Sequence, residues 1–335
     1  MTPSQTRPAS PPSTFRSMLT GLLLVVLLSI PAALLGRAFP LLGGAVTGMM
    51  LGIACRQWFT PGERCLPGIR FASKQLLQYS IVALGFSLPL QHVASTGLHS
   101  LPVSLVTLTV AFVVAVAAGR ALGIPGNLKV LIGAGTAICG GSAIAAITPI
   151  LKQDEHDTAY ALSTIFLFNI VAVMLFPVAG KLLGMTDAGF GLWAGTAIND
   201  TSSVVAAAYA WNATAGEYAT IVKLTRAMMI VPVVVVIAML YQRDRADGSI
   251  RRSVPWFIVM FVAASATNQW LPATLIGAVR LVAPLLIVGA LTAIGLSTDV
   301  ARLRRAGWRP LLLGLLVWVS VAASSLLMQK LTGAL

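Results

Sequence analysis

The stretch GAGTAICGGSAIAA, residues Gly133–Ala146, decides how this chain is built. It places four glycines, one cysteine and two hydroxyl residues inside an apolar run long enough to cross a bilayer. Glycine costs about 1 kcal/mol relative to alanine in a helix interior, and Gly140 and Gly141 are adjacent. We therefore expect a helix that breaks here. The alternative is that these small residues only allow neighbouring helices to pack closely.

The composition around this stretch is that of a membrane protein. Of 335 residues, 57% are hydrophobic and only 10% are charged, and the mean hydropathy is +0.87. Soluble domains carry about a quarter charged residues, so that class is excluded. The net charge of +13 fits basic cytoplasmic loops better than nucleic-acid binding. The prediction is an all-α polytopic protein in a lipid bilayer, without a nucleic-acid partner.

Hydrophobic runs predict about eleven transmembrane helices within a single transporter domain, residues 18–335. Residues 1–17, rich in Pro, Ser and Thr, are predicted to be a disordered cytoplasmic tail. The approximate limits of the predicted spans are 18–36, 39–55, 75–91, 101–119, 130–150, 158–180, 190–210, 219–240, 255–270, 276–297 and 310–330.

The distribution of basic residues predicts the orientation. With the N-terminus in the cytoplasm, 17 of the 23 Lys and Arg residues fall on the inside and three on the outside, and the others lie within spans. The outside residues are Arg37, Lys152 and Lys330, and Lys181 is among those counted inside. This asymmetry follows the positive-inside rule and places the C-terminus on the outer side.

One short phrase recurs three times: GAGTAICGGS from Gly133, WAGTAINDTSS from Trp193 and GALTAIGLST from Gly289. The first and third copies lie in spans 5 and 10, which run in opposite directions in the predicted topology. That relation suggests two inverted five-helix repeats, approximately 39–180 and 190–330, with broken crossing helices plus one N-terminal helix. Span 3 also resembles span 10, so the symmetry partner of the first copy is open.

A break at Gly140 and Gly141 would suit an anion. Freed backbone N–H groups and the positive end of the following half-helix attract negative charge. The candidate substrate-binding set is completed by Thr136, Cys139 and Ser142, whose side chains flank the glycines. Such unpaired backbone is tolerated at membrane depth only where protein or a water-filled cavity satisfies it.

Asp200 is an acidic residue near the middle of a predicted span, where a carboxylate is costly. It is a candidate for binding the H⁺ or Na⁺ that drives transport, with Asn199, Thr201 and Ser202 as neighbouring oxygen donors. The alternative is a structural ion pair or a buried neutral acid.

Lys223 and Arg226 lie three residues apart on one helical face and are the predicted partners of Asp200. Two cations beside one carboxylate leave an excess positive charge for an anionic substrate, and Arg226 could bind it with a bidentate fork. Snorkelling to the membrane surface is the alternative for Lys223, and it is the preferred interpretation of Arg280. Asn169 is expected to make an interhelical hydrogen bond.

Four segments resemble the YeiH-type bacterial inner-membrane proteins, a group with the provisional label of sulfate exporters. They are GAGTAICGGSAIAAITPILK, STIFLFNIVAVMLFP, GLWAGTAINDTSSVVAAA and ATIVKLTRAMMIVPV. The resemblance covers about residues 18–330. It implies the fold of the bile-acid symporter and sodium–proton antiporter group, in a bacterial inner (plasma) membrane with a periplasmic C-terminus. Members of the group often carry His where this chain has Asn199, which argues against a histidine-based proton step and leaves Asp200.

The combined prediction is a secondary-active exporter of a small inorganic or organosulfur anion, coupled to H⁺ or Na⁺. A Na⁺-coupled carboxylate importer is the first alternative, and a membrane enzyme or sensor without transport is the second. The sequence contains no GxxxxGK[ST] motif for ATP hydrolysis and no His or Cys spacing typical of a metal site. We therefore expect no enzyme activity, no cofactor and no metal. A homodimer is a further expectation.

Overall fold

The computed structural model describes residues 14–38, 43–59, 61–124, 126–151, 155–241, 256–298 and 308–333. Within them the chain is all-helical, as predicted. The α-helices are α1 (Thr14–Ala38), α2 (Gly43–Trp58), α3 (Leu66–Phe71), α4 (Leu77–Ser87), α5 (Leu90–Ala121), α6 (Leu128–Ala137), α7 (Gly141–Leu151), α8 (Glu155–Leu182), α9 (Asp187–Ala197), α10 (Thr201–Trp211), α11 (Ala213–Met228), α12 (Ile230–Leu240), α13 (Trp256–Thr267), α14 (Ala273–Ser297) and α15 (Trp308–Thr332). A π-helical turn, Ala72–Leu76, joins α3 to α4.

Six helical segments in the described ranges are long and apolar enough to cross a membrane. They are Arg16–Gly36, Leu90–Ala121, Asp157–Leu182, Ala213–Leu240, Ala273–Ser297 and Trp308–Thr332. Shorter helices lie at the other predicted spans, and the count of eleven crossings stays a prediction. The predicted tail is wrong at its end, because α1 already begins at Thr14, and residues 1–13 lie outside the described part.

The segment of α9 and α10 folds back on itself as a helical hairpin. The indole of Trp211, at the end of α10, donates a hydrogen bond of 2.8 Å to Asp187, at the start of α9. Its ring also stacks on Phe190, with centroids 4.3 Å apart. In a straight helix, residues 187 and 211 would lie about 36 Å apart. The two ends of this segment therefore meet on the same side of the molecule.

The segment of α6 and α7 is also a hairpin. A Cβ on Gly135 would lie 3.0 Å from the side chain of Ile144, although nine residues of straight helix span about 13 Å. Ile165 of α8 contacts the Gly135 position in α6 as well as the Gly140 position at the break. The hydroxyls of Thr148 in α7 and Thr158 in α8 lie 3.4 Å apart, so α7 returns beside the start of α8.

The two hairpins enter from opposite faces of the molecule. Tyr241 at the end of α12 donates a hydrogen bond to Asn127, just before α6, which defines face A. Lys181 at the end of α8 lies over the ring of Trp211, which defines face B. Because 28-residue α8 connects the hairpins, the first hairpin opens to face A and the second to face B. The break expected within 130–150 is present, but neither 130–150 nor 190–210 runs through as one span, since each segment reverses at its break.

The third copy of the repeated phrase behaves differently, because α14 runs without interruption from Ala273 to Ser297. Its small residues pack against α2: a Cβ on Gly295 would collide with the carbonyl of Met49, and one on Gly48 would lie 2.6 Å from Thr292 Oγ1. Close packing therefore explains this copy. Span 10 is therefore not a broken helix, and the inverted repeats, with their boundaries and symmetry partners, stay a prediction.

Candidate functional site

The tips of the two hairpins meet inside the protein. The first tip is residues 138–140 and the second is residues 198–200. Gly140 adopts φ +68°, a left-handed conformation that disfavours other residues. A Cβ at this position would lie 3.5 Å from Cβ of Asp200, so the two breaks are in contact. The predicted break at Gly140 and Gly141 is thus present, and a second break faces it.

Lys223 of α11 joins the two tips. Its side chain is fully buried, and its ammonium group donates hydrogen bonds to the carbonyls of Ile138 (2.9 Å) and Ile198 (2.8 Å). These carbonyls belong to the C-terminal ends of α6 and α9, where the helix dipole is negative and the acceptors have no helical donor. Lys223 is a buried link between the hairpins, which excludes snorkelling.

Arg226 lies one turn further along α11 and is also fully buried. Its Nε donates to the carbonyl of Ala137 (2.6 Å) and its Nη2 to the carbonyl of Thr136 (3.2 Å). Its Nη1 has no hydrogen-bond partner among the described residues. The guanidinium therefore holds the first tip and retains an unused donor, which is costly for a buried charged group.

Asp200 does not pair with either cation, contrary to the prediction. Its Oδ2 caps α10 instead, accepting from the backbone N–H of Ser202 (3.2 Å) and Ser203 (3.4 Å) and from the Ser202 hydroxyl. Each hydrogen bond to Asp200 in the described part ends on Oδ2, so Oδ1 is an open acceptor. In the structure α10 packs antiparallel to α11, whereas α9 runs parallel to α11.

Asn199 is the most unusual polar residue of the second tip. Its side chain is 1% exposed, and within the described ranges neither its amide nitrogen nor its oxygen has a hydrogen-bond partner. Its neighbours in the predicted ion set are a half-buried Thr201 and a buried Ser202. Asn169 of α8 is likewise buried, and the hydrogen bond expected there is not formed with any residue that the structure describes. Buried amides without partners are rare and call for a ligand or another explanation.

The substrate-binding residues predicted in the first hairpin divide into buried and exposed groups. The hydroxyl of Thr136 bonds to the carbonyl of Ile132, so Thr136 reaches the site only through its own carbonyl. Cys139 is buried, Gly141 is half-buried, and Ser142 is exposed. The hydroxyl of Ser142 is therefore not part of the buried junction. No acidic residue lies in the first turn of α7, so its positive end has no carboxylate cap.

Sequence reasoning missed the carbonyls of Ala137, Ile138 and Ile198, which carry the contacts of the two cations. A sequence pattern does mark the helix ends that carry these carbonyls. The same four residues, Gly-Thr-Ala-Ile, precede both breaks, at 135–138 and at 195–198. The Asp-Thr-Ser-Ser run that follows the second copy is also typical of a helix N-terminus. Together the tips bring two cations, one carboxylate and an unpartnered amide to one junction.

Comparison with known proteins gives a consistent match. The profile of the family described as conserved hypothetical protein 698 matches residues 20–314. A UPF0324 membrane protein of Streptococcus pyogenes serotype M6 is 40% identical over 332 residues, covering 95% of this chain and 98% of the relative. A UPF0324 membrane protein of Fusobacterium nucleatum is 37% identical, covering 94% and 98%. One of Streptococcus pneumoniae is 36% identical, covering 93% and 97%. The match agrees with the resemblance to the YeiH-type proteins.

Proposed function

The chain belongs to the conserved hypothetical protein 698 family, a family of UPF0324 membrane proteins, and we propose that it is a secondary-active transporter of a small anion. The observation that carries this proposal is the meeting of two oppositely inserted hairpins at a buried pair of cations. Interrupted helices place unpaired backbone at membrane depth, which is costly unless the site is used. Transporters of several folds use such half-helices to hold substrate and coupling ions.

The anion site is proposed at the first tip. Lys223 and Arg226 together carry two positive charges, and the capping Asp200 carries one negative charge, so the junction has a formal excess of one positive charge. Nη1 of Arg226 has no partner, and the N-terminus of α7 at Gly141 has no acidic cap. A sulfate-like anion would supply acceptors for these donors and neutralise the excess charge.

The coupling ion is proposed at the second tip. Oδ1 of Asp200 is free of hydrogen bonds to described residues, and the buried amide of Asn199 is next to it in the chain. A carboxylate oxygen with an amide and hydroxyl groups nearby can take a proton or coordinate Na⁺, which prefers oxygen ligands. Binding there would alter the charge balance beside Lys223 and so couple the two tips electrostatically.

Alternating access would follow from the hairpins opening to different faces. We assign face A to the cytoplasm of a bacterial inner membrane, because the positive-inside count holds for the hairpin topology too. In the topology with two hairpins, α8 runs in the opposite direction to that in the eleven-span prediction. Lys181 is then counted on the outside, and Lys152, which is outside the described residues, is counted on the inside. The count stays 17 to 3. The transport direction is proposed to be export.

Proteoliposomes containing the purified protein test this proposal. We expect uptake of labelled sulfate or sulfite that depends on an imposed pH or Na⁺ gradient. Arg226→Gln should reduce anion flux whatever ion gradient is imposed. Asp200→Asn should leave anion exchange intact but remove its dependence on the H⁺ or Na⁺ gradient. The matched control is Arg309→Gln, an exposed arginine stacked near Trp308 at face A.

The results would separate the alternatives. Gradient-independent flux in the unmodified protein would contradict ion coupling. Na⁺-driven uptake of carboxylates, with no flux of sulfur oxyanions, would favour the importer. Absence of flux for both classes in protein that remains folded would contradict transport and leave a membrane enzyme or sensor.

A further inference from the structure

A cavity lies at face B, away from the junction of the tips. Its volume is about 280 Å³, and it lies between α4, the turn that joins α10 to α11, and α14. That turn is at the far end of α10 from Asp200, about 16 Å along an 11-residue helix. The cavity is therefore a separate space and shares no side chain with the proposed anion site.

Two opposite charges line this cavity without pairing. Glu217 in the second turn of α11 is half-buried, and Arg280 of α14 is exposed on the cavity side. Neither residue forms an ion pair with any residue in the described part of the chain. Arg280 therefore lines a cavity and is more than a residue that snorkels to the surface. A separated carboxylate and guanidinium can each bind a ligand group of the opposite charge.

Tyr209 adds an aromatic ring to the wall of the cavity. The ring lies flat against α11 at Gly216, where a Cβ would be 2.6 Å from two ring carbons, so the position of the ring depends on this glycine. The hydroxyl is buried and has no hydrogen-bond partner among the described residues, so the ring and not the hydroxyl faces the cavity.

Pro284 of α14 lies in the same wall as Arg280. Leu84, Tyr209 and Pro284 give the cavity an apolar surface around its two charged groups. The wall thus offers one cationic donor, Arg280, and one anionic acceptor, Glu217.

We propose that this cavity binds a small zwitterion, with its acid group on Arg280 and its ammonium group on Glu217. A simple anion would leave its charge facing Glu217, and a simple cation would face Arg280. The volume is near the lower end of small-molecule sites, which suits a molecule of the size of an amino acid or aminosulfonate. This proposal goes beyond the anion site and does not depend on transport, because it concerns binding alone.

Isothermal titration of the purified full-length protein in detergent tests it with matched probes. Taurine and β-alanine carry both charges, isethionate lacks the ammonium group, and ethanolamine lacks the acid group. We expect both zwitterions to bind at least about tenfold more tightly than the two singly charged probes, since each charged hydrogen bond contributes at least that factor.

Variants locate the binding. Glu217→Gln and Arg280→Gln should each weaken taurine binding by at least about tenfold. Arg309→Gln and Tyr241→Phe, at face A, are the matched controls and should leave it unchanged. Melting temperatures identify any variant that is misfolded, and a milder Glu217→Asp change then replaces it.

Two results would overturn the proposal. One is taurine binding that is unchanged in both Glu217→Gln and Arg280→Gln, which would place the ligand elsewhere. The other is equal binding of taurine and isethionate with no effect of Glu217→Gln, which would indicate a site for simple anions. Failure of anion transport in proteoliposomes would leave both measurements intact, so the two proposals fail separately.

Discussion

Ile138 and Ile198 occupy the same position in two hairpins that enter from opposite faces, and one ammonium group, that of Lys223, binds the backbone carbonyl of each, at 2.9 and 2.8 Å. The two residues are the last of Gly-Thr-Ala-Ile in each copy of the phrase. A single buried cation thus compensates the negative ends of two half-helices. The predictions below test this arrangement and its use.

Lys223→Met is expected to destabilise the protein. Two buried carbonyls would lose their donor at about 1–3 kcal/mol each, partly offset because a buried charge is removed, for a net loss of about 2 kcal/mol. The free energy of unfolding in mixed micelles measures this. Lys181→Met, at an exposed lysine over Trp211, is the control and should have little effect. Equal stability of the Lys223 variant and the unmodified protein would contradict a structural link between the tips.

Gly140→Ala should strain the first tip, because φ +68° costs an L-residue about 1–2 kcal/mol. Gly184→Ala is a matched control, since Gly184 has φ +64° but open space around it. We expect a similar loss of stability in both variants and a loss of transport only in Gly140→Ala. If both variants transport normally, the geometry of the first tip is not used in transport.

Cysteine labelling tests the hairpins directly. In a background without Cys55, Cys65 and Cys139, single cysteines at Thr186 and Ala213 should react with a membrane-impermeant maleimide from the same side of a vesicle. Both residues are exposed, and they flank the second hairpin. A straight crossing would place them on opposite sides.

The first hairpin has a corresponding pair. Cysteines at Gly126 and Ala159, which flank α6 and α7, should both react from the other side of the vesicle. Labelling of Gly126→Cys and Ala159→Cys from different sides would show that α6 and α7 cross the membrane as one helix.

Asn199→Leu separates stability from function. Removing an unpaired buried amide should leave the free energy of unfolding equal or raise it by about 1 kcal/mol, while gradient-driven transport is lost. Thr164→Val is the control, since Thr164 is also buried with an unpartnered hydroxyl and should transport normally. Normal coupled transport by Asn199→Leu would remove this residue from the ion site.

Much of the fold could be predicted from hydrophobicity, because each helix that reaches membrane depth must be apolar whether it crosses or turns back. For the same reason hydropathy could not distinguish the straight span expected at 190–210 from the hairpin of α9 and α10. The count of Lys and Arg residues on the two sides of the membrane could not distinguish them either, because it is 17 to 3 in both topologies. Two hairpins restore the original direction of the chain, so the proposed topology inverts α8 alone and exchanges the predicted sides of Lys152 and Lys181.

For the candidate site, the sequence predicted which residues take part more accurately than it predicted which groups they contact. Lys223, Arg226 and Asp200 were correctly singled out as unusual charges for a membrane interior, and all three lie at the tip junction. The expected ion pair between them is absent because each charge is used on a helix end: the cations on the carbonyls of α6 and α9, and the carboxylate on the N–H groups of α10. Sequence patterns do not report which backbone group a long side chain will reach.

The sequence by itself determined that this is an all-helical membrane protein, that its helix breaks at Gly140, and that two cations and one carboxylate fall within apolar segments. These properties depend on local composition and on the cost of burying charge. Only the tertiary structure decided that the second copy of the phrase contacts the first, and that one lysine links both. These contacts depend on where the chain reverses direction, which local sequence does not specify. The same repeated phrase forms a hairpin tip at Ile198 and a helix-packing surface at Gly295.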